Sequence, residues 1–435
     1  MKISILSVFP ELYTNFLKTS LVRRAAEKGI VEYSLDSFSS FVKPKERIDA
    51  PIFGPGAGML IKPEVVQRAI ETKEKKFGKA FKIFFSPQGK KLDQNLLREI
   101  SESVQKVGHV ILLPSRYEGM DCRAEDHYAD EIISVGDFVL MGGDLPAMMF
   151  IEGFLRFIPG VVGKAESVQM DSFSGPLVDY PSYCEPIDWN GYKVPDIIRS
   201  GNHEKIRKWR MSQAAKKTVE SHFNWMRSNR MTQEHKELAK EFIPNHYVVL
   251  MHTDVLVGKE KRSGETSVTS LDIHDIARSA GTFGVKNYFI VTPLIDQQKI
   301  VKKMLDFWVS GVGLEYNKSR AQSVKNVRLS DGFDSVVKVI EEKEGCKPLV
   351  VATSAKQYDV SNLISFYDQE KVWASKKPVL LVFGTGQGLS ESILKEADFI
   401  LTPIEGFSDY NHLSVRSAAA IVLDRWLGIN VKKVK

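Results

Sequence analysis

The chain reads twice as short apolar runs alternating with amphipathic stretches, and this doubled alternation is what most restricts its fold. The first series runs "KISILSVF", "FKIFFSP", "HVILLPS" and "EIISVGDFVLMGG", with helix-period segments between them. The second runs "HYVVLMHTDVLV", "NYFIVTP", "KPLVVATS", "KPVLLVFGTG" and "ADFILTP". Buried strands separated by helices predict parallel sheets covered on both faces, so the fold class is α/β. Between the series lie a Gly-, Ser-, Pro- and Asp-rich stretch of weak periodicity at 161–192 and a helical, basic stretch at 193–243. The expected layout is an α/β domain at 1–160, a linker at 161–192, a helical subdomain at 193–243 and a second α/β domain at 246–435. The tail "NHLSVRSAAAIVLDRWLG" predicts a closing helix with Asn411 as cap and Gly428 as stop.

Composition adds limits. A chain of 435 residues, 43% hydrophobic and 26% charged, has the balance of a globular protein with sizeable cores. No membrane span or leader pattern is visible, which predicts a cytoplasmic protein. Cys122, Cys184 and Cys346 are far apart and odd in number, pointing neither to a disulfide framework nor to a metal motif. The net charge of +6 is matched by residues 193–241 alone, with twelve Lys or Arg against six Asp or Glu. Its centre, "KIRKWRMSQAAKK", has six cations, one tryptophan and no acid, as suits a phosphate backbone or a plain solvated helix face.

The bare loops after the apolar runs are the chemical signal. They are "FGPGAGM" (53–59), "SPQGKKLD" (86–93), "SRYEGMDCR" (115–123) and "SVGDFVLMGGDLP" (134–146) in the first series, and "FGTGQGLS" and "LTPIEGF" in the second. Adjacent glycines such as Gly142 and Gly143 mark either strained dihedrals or something pressed against the main chain. Ligands in open α/β sheets sit at the carboxyl ends of strands, where these loops fall. They would suit a flat base and ribose read by backbone groups, with the Glu118 carboxylate beside them.

The ordered motifs "SPQGKKLDQ", "SRYEGMDCR", "SVGDFVLMGGDLPAM", "RFIPGVVG", "DSFSGPLVDYPSYCEP" and "VPDIIRSGNHEKIRKWR" resemble the bacterial TrmD family. Its members are tRNA (guanine-N1)-methyltransferases acting on guanosine 37, and the likeness spans residues 1–242. The resemblance implies a SPOUT-class fold whose loops form a trefoil knot around S-adenosyl-L-methionine. It further implies a homodimer with shared sites and a tRNA substrate, and allows Mg2+ in the tRNA step. By position it assigns cofactor contacts to Pro87, Gly89, Tyr117, Glu118, Val135, Gly136, Phe138, Leu140, Gly142, Gly143 and Pro146, with Asp179 of the partner subunit at the methionine end. Ser115 stands where many members have glycine, Phe138 where tyrosine is common, and "DAPIFGPGAGM" departs from the usual loop.

The same resemblance makes Asp171 the general base and Arg156 its cationic partner. The chemistry demands such a pair, because guanine N1 carries a proton at neutral pH and O6 gathers charge as it leaves. Taken alone, Asp171 reads as a turn residue and Arg156 as a surface ion-pair cation. Lys205, Arg207, Lys208 and Arg210, behind Asn202 as cap, are assigned to tRNA phosphates.

In the second series "DIHDIARSAGTFGVKNYFIV", "VLLVFGTGQGLS" and "LSVRSAAAIVL" resemble the three motifs of the SpoU-type ribose methyltransferases, in order. Arg278 matches; Asp272, Ser414 and Arg416 replace the expected Asn, Asn and Ser, and the second motif's glutamate is missing around Thr385 to Gly388. The segment also resembles a small uncharacterised bacterial SPOUT family. The likeness implies a second knotted domain and a second S-adenosyl-L-methionine site, giving two per chain, formed by Thr353, Gly384, Gly386, Gly388, Leu401, Ile404 and Leu413. The alternatives are a non-catalytic dimerisation or RNA-binding module and, for the whole chain, an RNA-binding regulator that senses the cofactor. The loop at 257–270 reads equally as mobile or as RNA-contacting.

Overall fold

A computed structural model of the chain describes residues 1–56, 58–163, 171–310 and 312–429. It divides into two compact units, Met1–Ser174 and Gly175–Lys435.

The first unit is built on a five-stranded parallel sheet of β1 (Lys2–Ser7), β2 (Glu32–Ser37), β3 (Phe81–Lys91), β4 (His109–Pro114) and β5 (Glu131–Ser134), in the order β2-β1-β4-β3-β5. Its inner strands β1 and β4 are buried on both sides because both faces are covered, while β2, with Glu32 and Asp36, is a partly exposed edge. Ile83 and Phe85 face a core with Phe150 and Phe154 of the helix Asp144–Leu155, while Phe84 faces Val65, Val66, Ala69 and Ile70 of the helix Pro63–Phe77. Asp93 caps the helix Gln94–Val107 by accepting from the Leu96 N–H, and Gly108 ends it in the left-handed region.

The second unit carries a seven-stranded parallel sheet. Its strands are β6 (His246–Met251), β7 (Asn287–Val291), β8 (Val327–Ser330), β9 (Leu349–Ala352), β10 (Leu363–Ile364), β11 (Val379–Gly384) and β12 (Phe399–Leu401), in the order β8-β7-β6-β11-β9-β12-β10. Two parallel sheets, each between helices, are the mixed α/β architecture that the alternation predicts.

The contacts group residues 175–243 with the second α/β domain, the break falling between 174 and 175. The basic helices pack on the second sheet: Val219, Phe223, Met226 and Ala239 share one core with Val248, Leu250, Tyr288 and Trp426. Buried Arg227 donates to the carbonyls of Asp424 and Arg425 at the end of the last helix, where unpaired carbonyls need donors. The run 138–141 extends no strand, since β5 stops at Ser134 and Phe138, Val139, Leu140 and Met141 are exposed. The last helix, Val415–Leu427, is capped by Ser414 and not by Asn411, which donates to the Ala355 carbonyl. Part of 257–270 is ordered as the second arm of an antiparallel hairpin, Val255–Val257 with Arg262–Gly264.

Below His246 the core holds a polar hub. Indole N–H groups only donate, so His246 Nε2 must accept from Trp373 (3.3 Å) and Trp426 (3.0 Å), and its protonated Nδ1 donates to the Pro244 carbonyl (2.7 Å). Burial pushes this imidazole down to about 4.

Candidate active sites

In the first unit the loops converge at the carboxyl ends of β3, β4 and β5. Pairing between β3 and β5 shifts register between Phe85 and Lys90, so the turn with Pro87 and Gly89 stands out of the ladder. Gly89 is required there: a Cβ would lie 2.5 Å from the Ile132 carbonyl oxygen. Ser115 Oγ donates to the Phe85 carbonyl (3.0 Å), and the Gly143 N–H donates to the Ser115 carbonyl (2.7 Å). A Cβ on Gly143 would come within 2.8 Å of the Ser115 nitrogen and 2.9 Å of the Pro114 Cα. Gly143 has φ −83, so close approach of main chains accounts for this glycine and strained dihedrals do not. The nearest neighbour of a Gly142 Cβ is only the Arg116 side chain, at 2.5 Å.

The other expected cofactor residues of this unit occupy the same rim. Tyr117 is exposed with φ +59, and the Glu118 N–H donates to the Met59 carbonyl while its side chain lies over Gly58. Val135 is half-buried and Gly136 is buried, with Ser134 Oγ both donating to and accepting from Gly136. Phe138 and Leu140 are exposed, and Pro146 is buried in the first turn of its helix.

Sequence reasoning missed the group that pins these loops. Asp144, 1% exposed, accepts from Ser7 Oγ (2.6 Å) and the Tyr13 hydroxyl (3.0 Å) on Oδ1, and from Arg116 Nε (2.7 Å) on Oδ2. Burial, and then the carboxylate beside it, raise the Tyr13 phenol far above its ordinary range. An acid just after a Gly-Gly pair, with an Arg two residues from the Glu118 loop, was the available signal.

Arg156 follows the helix Asp144–Leu155 and meets Asp171: its Nε donates to Oδ2 (3.1 Å), and its Nη2 makes a second contact with the same oxygen. Both side chains are partly exposed. The structure thus joins the two residues that sequence reasoning linked, 15 positions apart. The "MDSF" stretch begins at Met170, and 164–170 lie outside the described residues.

Asp179 belongs to the second unit, on the exposed segment after Val178, whose N–H donates to Thr218 Oγ1 (3.0 Å). On the helix His203–Ser221, Asn202 caps as expected by accepting from the Lys205 N–H (3.0 Å). The four expected phosphate cations do not form one face. Lys205, Arg207 and Lys208 are exposed, the last two near Glu234 (3.6 Å) and Glu204 (2.8 Å). Arg210 turns inward over the Tyr180 ring (4.6 Å), and its Nε is buried without a hydrogen bond.

The second unit contains a cavity of about 880 Å³ at the ends of β9, β11 and β12. All seven residues expected there, Thr353, Gly384, Gly386, Gly388, Leu401, Ile404 and Leu413, line it. A Cβ on Gly384 would lie 2.7 Å from the Leu389 nitrogen; Gly386 has φ +61 and would bring its Cβ 2.7 Å from the Leu256 carbonyl oxygen. Gly388 is held by φ +107 alone, with no neighbour near. The opposite wall is polar, with Thr266, Thr269, Asp272, Ser414 and Arg416. Behind it His252 is fully buried, with Nδ1 on Thr266 Oγ1 (3.1 Å) and Nε2 unpartnered. Burial pushes it down to about 4 against the opposing pull of Asp272.

Comparison with known proteins divides the chain in two. The family model described as tRNA (Guanine-1)-methyltransferase TrmD matches residues 1–228, and that described as SAM-dependent RNA methyltransferase matches 245–428. A tRNA (guanine-N(1)-)-methyltransferase of Nitratidesulfovibrio vulgaris is 35% identical over 434 residues, covering 98% of this chain and 99% of its own. One from Oleidesulfovibrio alaskensis has the same identity and coverage over 440 residues. One from Dictyoglomus turgidum is 38% identical over 242 residues, which is 55% of this chain and 96% of its own. The short relative matches little more than half of this chain, and the long ones match it nearly end to end.

Proposed function

The chain belongs to the TrmD family of tRNA (guanine-N1)-methyltransferases and carries a second SAM-dependent RNA methyltransferase domain; from that premise we propose that it methylates N1 of guanosine 37 in tRNA at the first unit. The observation that carries the assignment of roles is the Arg156–Asp171 pair. When the guanine edge enters, Asp171 accepts the N1 proton and Arg156 donates to O6, where the displaced charge collects. S-adenosyl-L-methionine supplies the methyl group, and the rim fits it: exposed Tyr117, Phe138 and Leu140 offer apolar contact and exposed Glu118 a carboxylate for a ribose hydroxyl. The buried Asp144 holds Arg116 and the 115–119 loop in fixed relation to the 135–143 loop, which limits misalignment of the two reactants. The close main-chain approaches at Gly89 and Gly143 are consistent with the knotted loops of the SPOUT fold.

The protein acts as a homodimer in this reading, with Asp179 of one protomer reaching its partner's cofactor. What supports it is the apolar patch of Phe138, Val139, Met141, Leu145 and Met149 left open on the first unit, Met141 being 92% exposed. Lys205, Arg207 and Lys208 hold tRNA phosphates, and Arg210 braces the helix from within. Among the described residues no helix is long and apolar enough to cross a membrane, and a tRNA enzyme is placed in the cytoplasm. Among them, too, no group of three or more His, Cys, Asp or Glu is disposed to hold a metal ion; the Mg2+ allowed for the tRNA step would be held largely by phosphates and water. The second cavity takes a second S-adenosyl-L-methionine against Gly384, Gly386 and Gly388.

Asp171→Asn tests the assignment. It keeps the shape and removes the base, so single-turnover methylation of a tRNA with G37 falls by about 100-fold or more while cofactor affinity at the first unit stays within about twofold. A wild-type rate in the Asn variant removes Asp171 from the mechanism.

A further inference from the structure

The residues by which the second domain departs from the SpoU-type motifs are brought together on one wall of its cavity. Asp272, Ser414 and Arg416 all line it, whereas Arg278, which matches the motif, does not. Asp272 sits in the first turn of the helix Ser270–Thr282 and accepts from Thr269 Oγ1 (2.6 Å) on Oδ2. Its Oδ1 faces Arg416 Nε at 3.5 Å, within ion-pair range and too far for a well-formed hydrogen bond. Arg416 is held from its other side, where Nη1 donates to Asp275 Oδ2 (3.2 Å). The carboxylate is 12% exposed and the guanidinium 33%, so both reach the cavity without being free in solvent. The two substitutions are therefore coupled: Asp for Asn and Arg for Ser make one carboxylate–guanidinium unit.

We propose that Asp272 and Arg416 form the acceptor side of a second methyl-transfer centre, whose substrate is the ring N–H of a nucleobase flanked by a carbonyl, as in guanine or uracil. This rests on the reading of the cavity as a cofactor site. A carboxylate beside a guanidinium offers an acceptor and a donor side by side, which complements an N–H next to a C=O. A ribose hydroxyl has no adjacent carbonyl for the guanidinium to meet. The same pairing occurs in the first unit as Arg156 with Asp171. The volume of about 880 Å³ is near the top of the roughly 300–1,000 Å³ range of small-molecule sites, leaving room for a base edge beside the cofactor. In the step, the N–H proton passes to Asp272 Oδ1 and the nitrogen pair forms the N–CH3 bond. The S–CH3 bond of S-adenosyl-L-methionine breaks with its electrons left on sulfur, and the Arg416 guanidinium donates to the neighbouring carbonyl oxygen. The proton then leaves from Asp272 to water.

The test uses the full chain carrying Asp171→Asn, which silences the first site, with tritiated S-adenosyl-L-methionine and a pool of unmodified tRNA and ribosomal RNA transcripts. Cofactor stoichiometry is read in parallel by calorimetry. The expected result is label in a ring-N-methylated nucleoside and two cofactors per chain. Adding Asp272→Asn lowers the label about 100-fold or more, and Arg416→Gln, farther from the core, lowers it at least tenfold, both with two cofactors still bound. Label on ribose oxygen, label indifferent to both substitutions, or two bound cofactors with no label in any RNA overturns the proposal. One cofactor per chain in the unsubstituted protein overturns the cofactor reading beneath it, and the proposal with it.

Discussion

Lowering the pH below about 6.5 should begin to destabilise the second unit before its carboxylates protonate, and a leading cause is a hydrogen-bonding constraint at His246. That imidazole can accept from Trp373 and Trp426 only while Nε2 is unprotonated. Its value drops from 6.5 to about 4 on folding. At about 1.4 kcal/mol per unit, the difference amounts to roughly 3 kcal/mol. A depressed folded value favours the neutral form, so stability is full above the unfolded value and is lost as the pH falls from about 6.5 to about 4. His252 and His274 move in the same direction with burial as the first cause, and both add to the slope. All six tryptophans, Trp189, Trp209, Trp225, Trp308, Trp373 and Trp426, lie in the second unit, so indole fluorescence follows its unfolding alone. Urea titrations between pH 7.5 and 4.5 should show a slope of more than one proton. In His246→Gln, which keeps an acceptor for the indoles and does not titrate, the slope falls by one proton, about 1.4 kcal/mol per pH unit. An unchanged slope in the variant refutes the argument, because the histidine would then have been protonated in the folded core.

Gly386→Val should reduce the cofactor stoichiometry from two to one per chain without changing first-site methylation, since φ +61 and a Cβ 2.7 Å from the Leu256 carbonyl both oppose a side chain; calorimetric titration of the full chain reads it. Replacing Lys205, Arg207 and Lys208 with Ala should weaken tRNA binding for cognate and non-cognate RNA alike, and flatten the salt dependence by up to about three units of slope. Arg210→Ala should instead lower the melting temperature by a few degrees and leave that slope unchanged, because its guanidinium lies over Tyr180.

The features legible in the sequence are those written in short windows. Asn202 was readable as a cap, the alternating runs as parallel strands, and the glycine loops as bare strand ends. The features that were not depend on partners far along the chain. Nothing near Val219 or Met226 says that their apolar face meets Tyr288 and Trp426, so the docking of these helices on the second sheet was out of reach. The run 138–141 looks like strand because its composition is that of strand, and only the absence of a neighbour to pair with β5 beyond Ser134 decides otherwise. Asn411 and Ser414 are both good caps by type, and Asn411 is taken by Ala355. Asp144 was marked only by its place after the glycine pair and by a nearby Arg, since its partners Ser7, Tyr13 and Arg116 come from three separate segments. The Arg156–Asp171 pairing came through the resemblance, which carries long-range information that periodicity lacks.

The packing of Val219, Phe223, Met226 and Ala239 into the core of the second sheet, with Arg227 clamped on the carbonyls of Asp424 and Arg425, makes the joining of the two families in one chain hard to undo. A gene split at codon 245 would yield an N-terminal product with a sticky helical face and a C-terminal product with an open socket and an unclamped last helix. Restoring two free-standing proteins would take several simultaneous apolar-to-polar replacements on each side of the cut. Fusion of this kind works as a ratchet: easy to enter by one recombination event, and costly to leave once the surfaces have become interior.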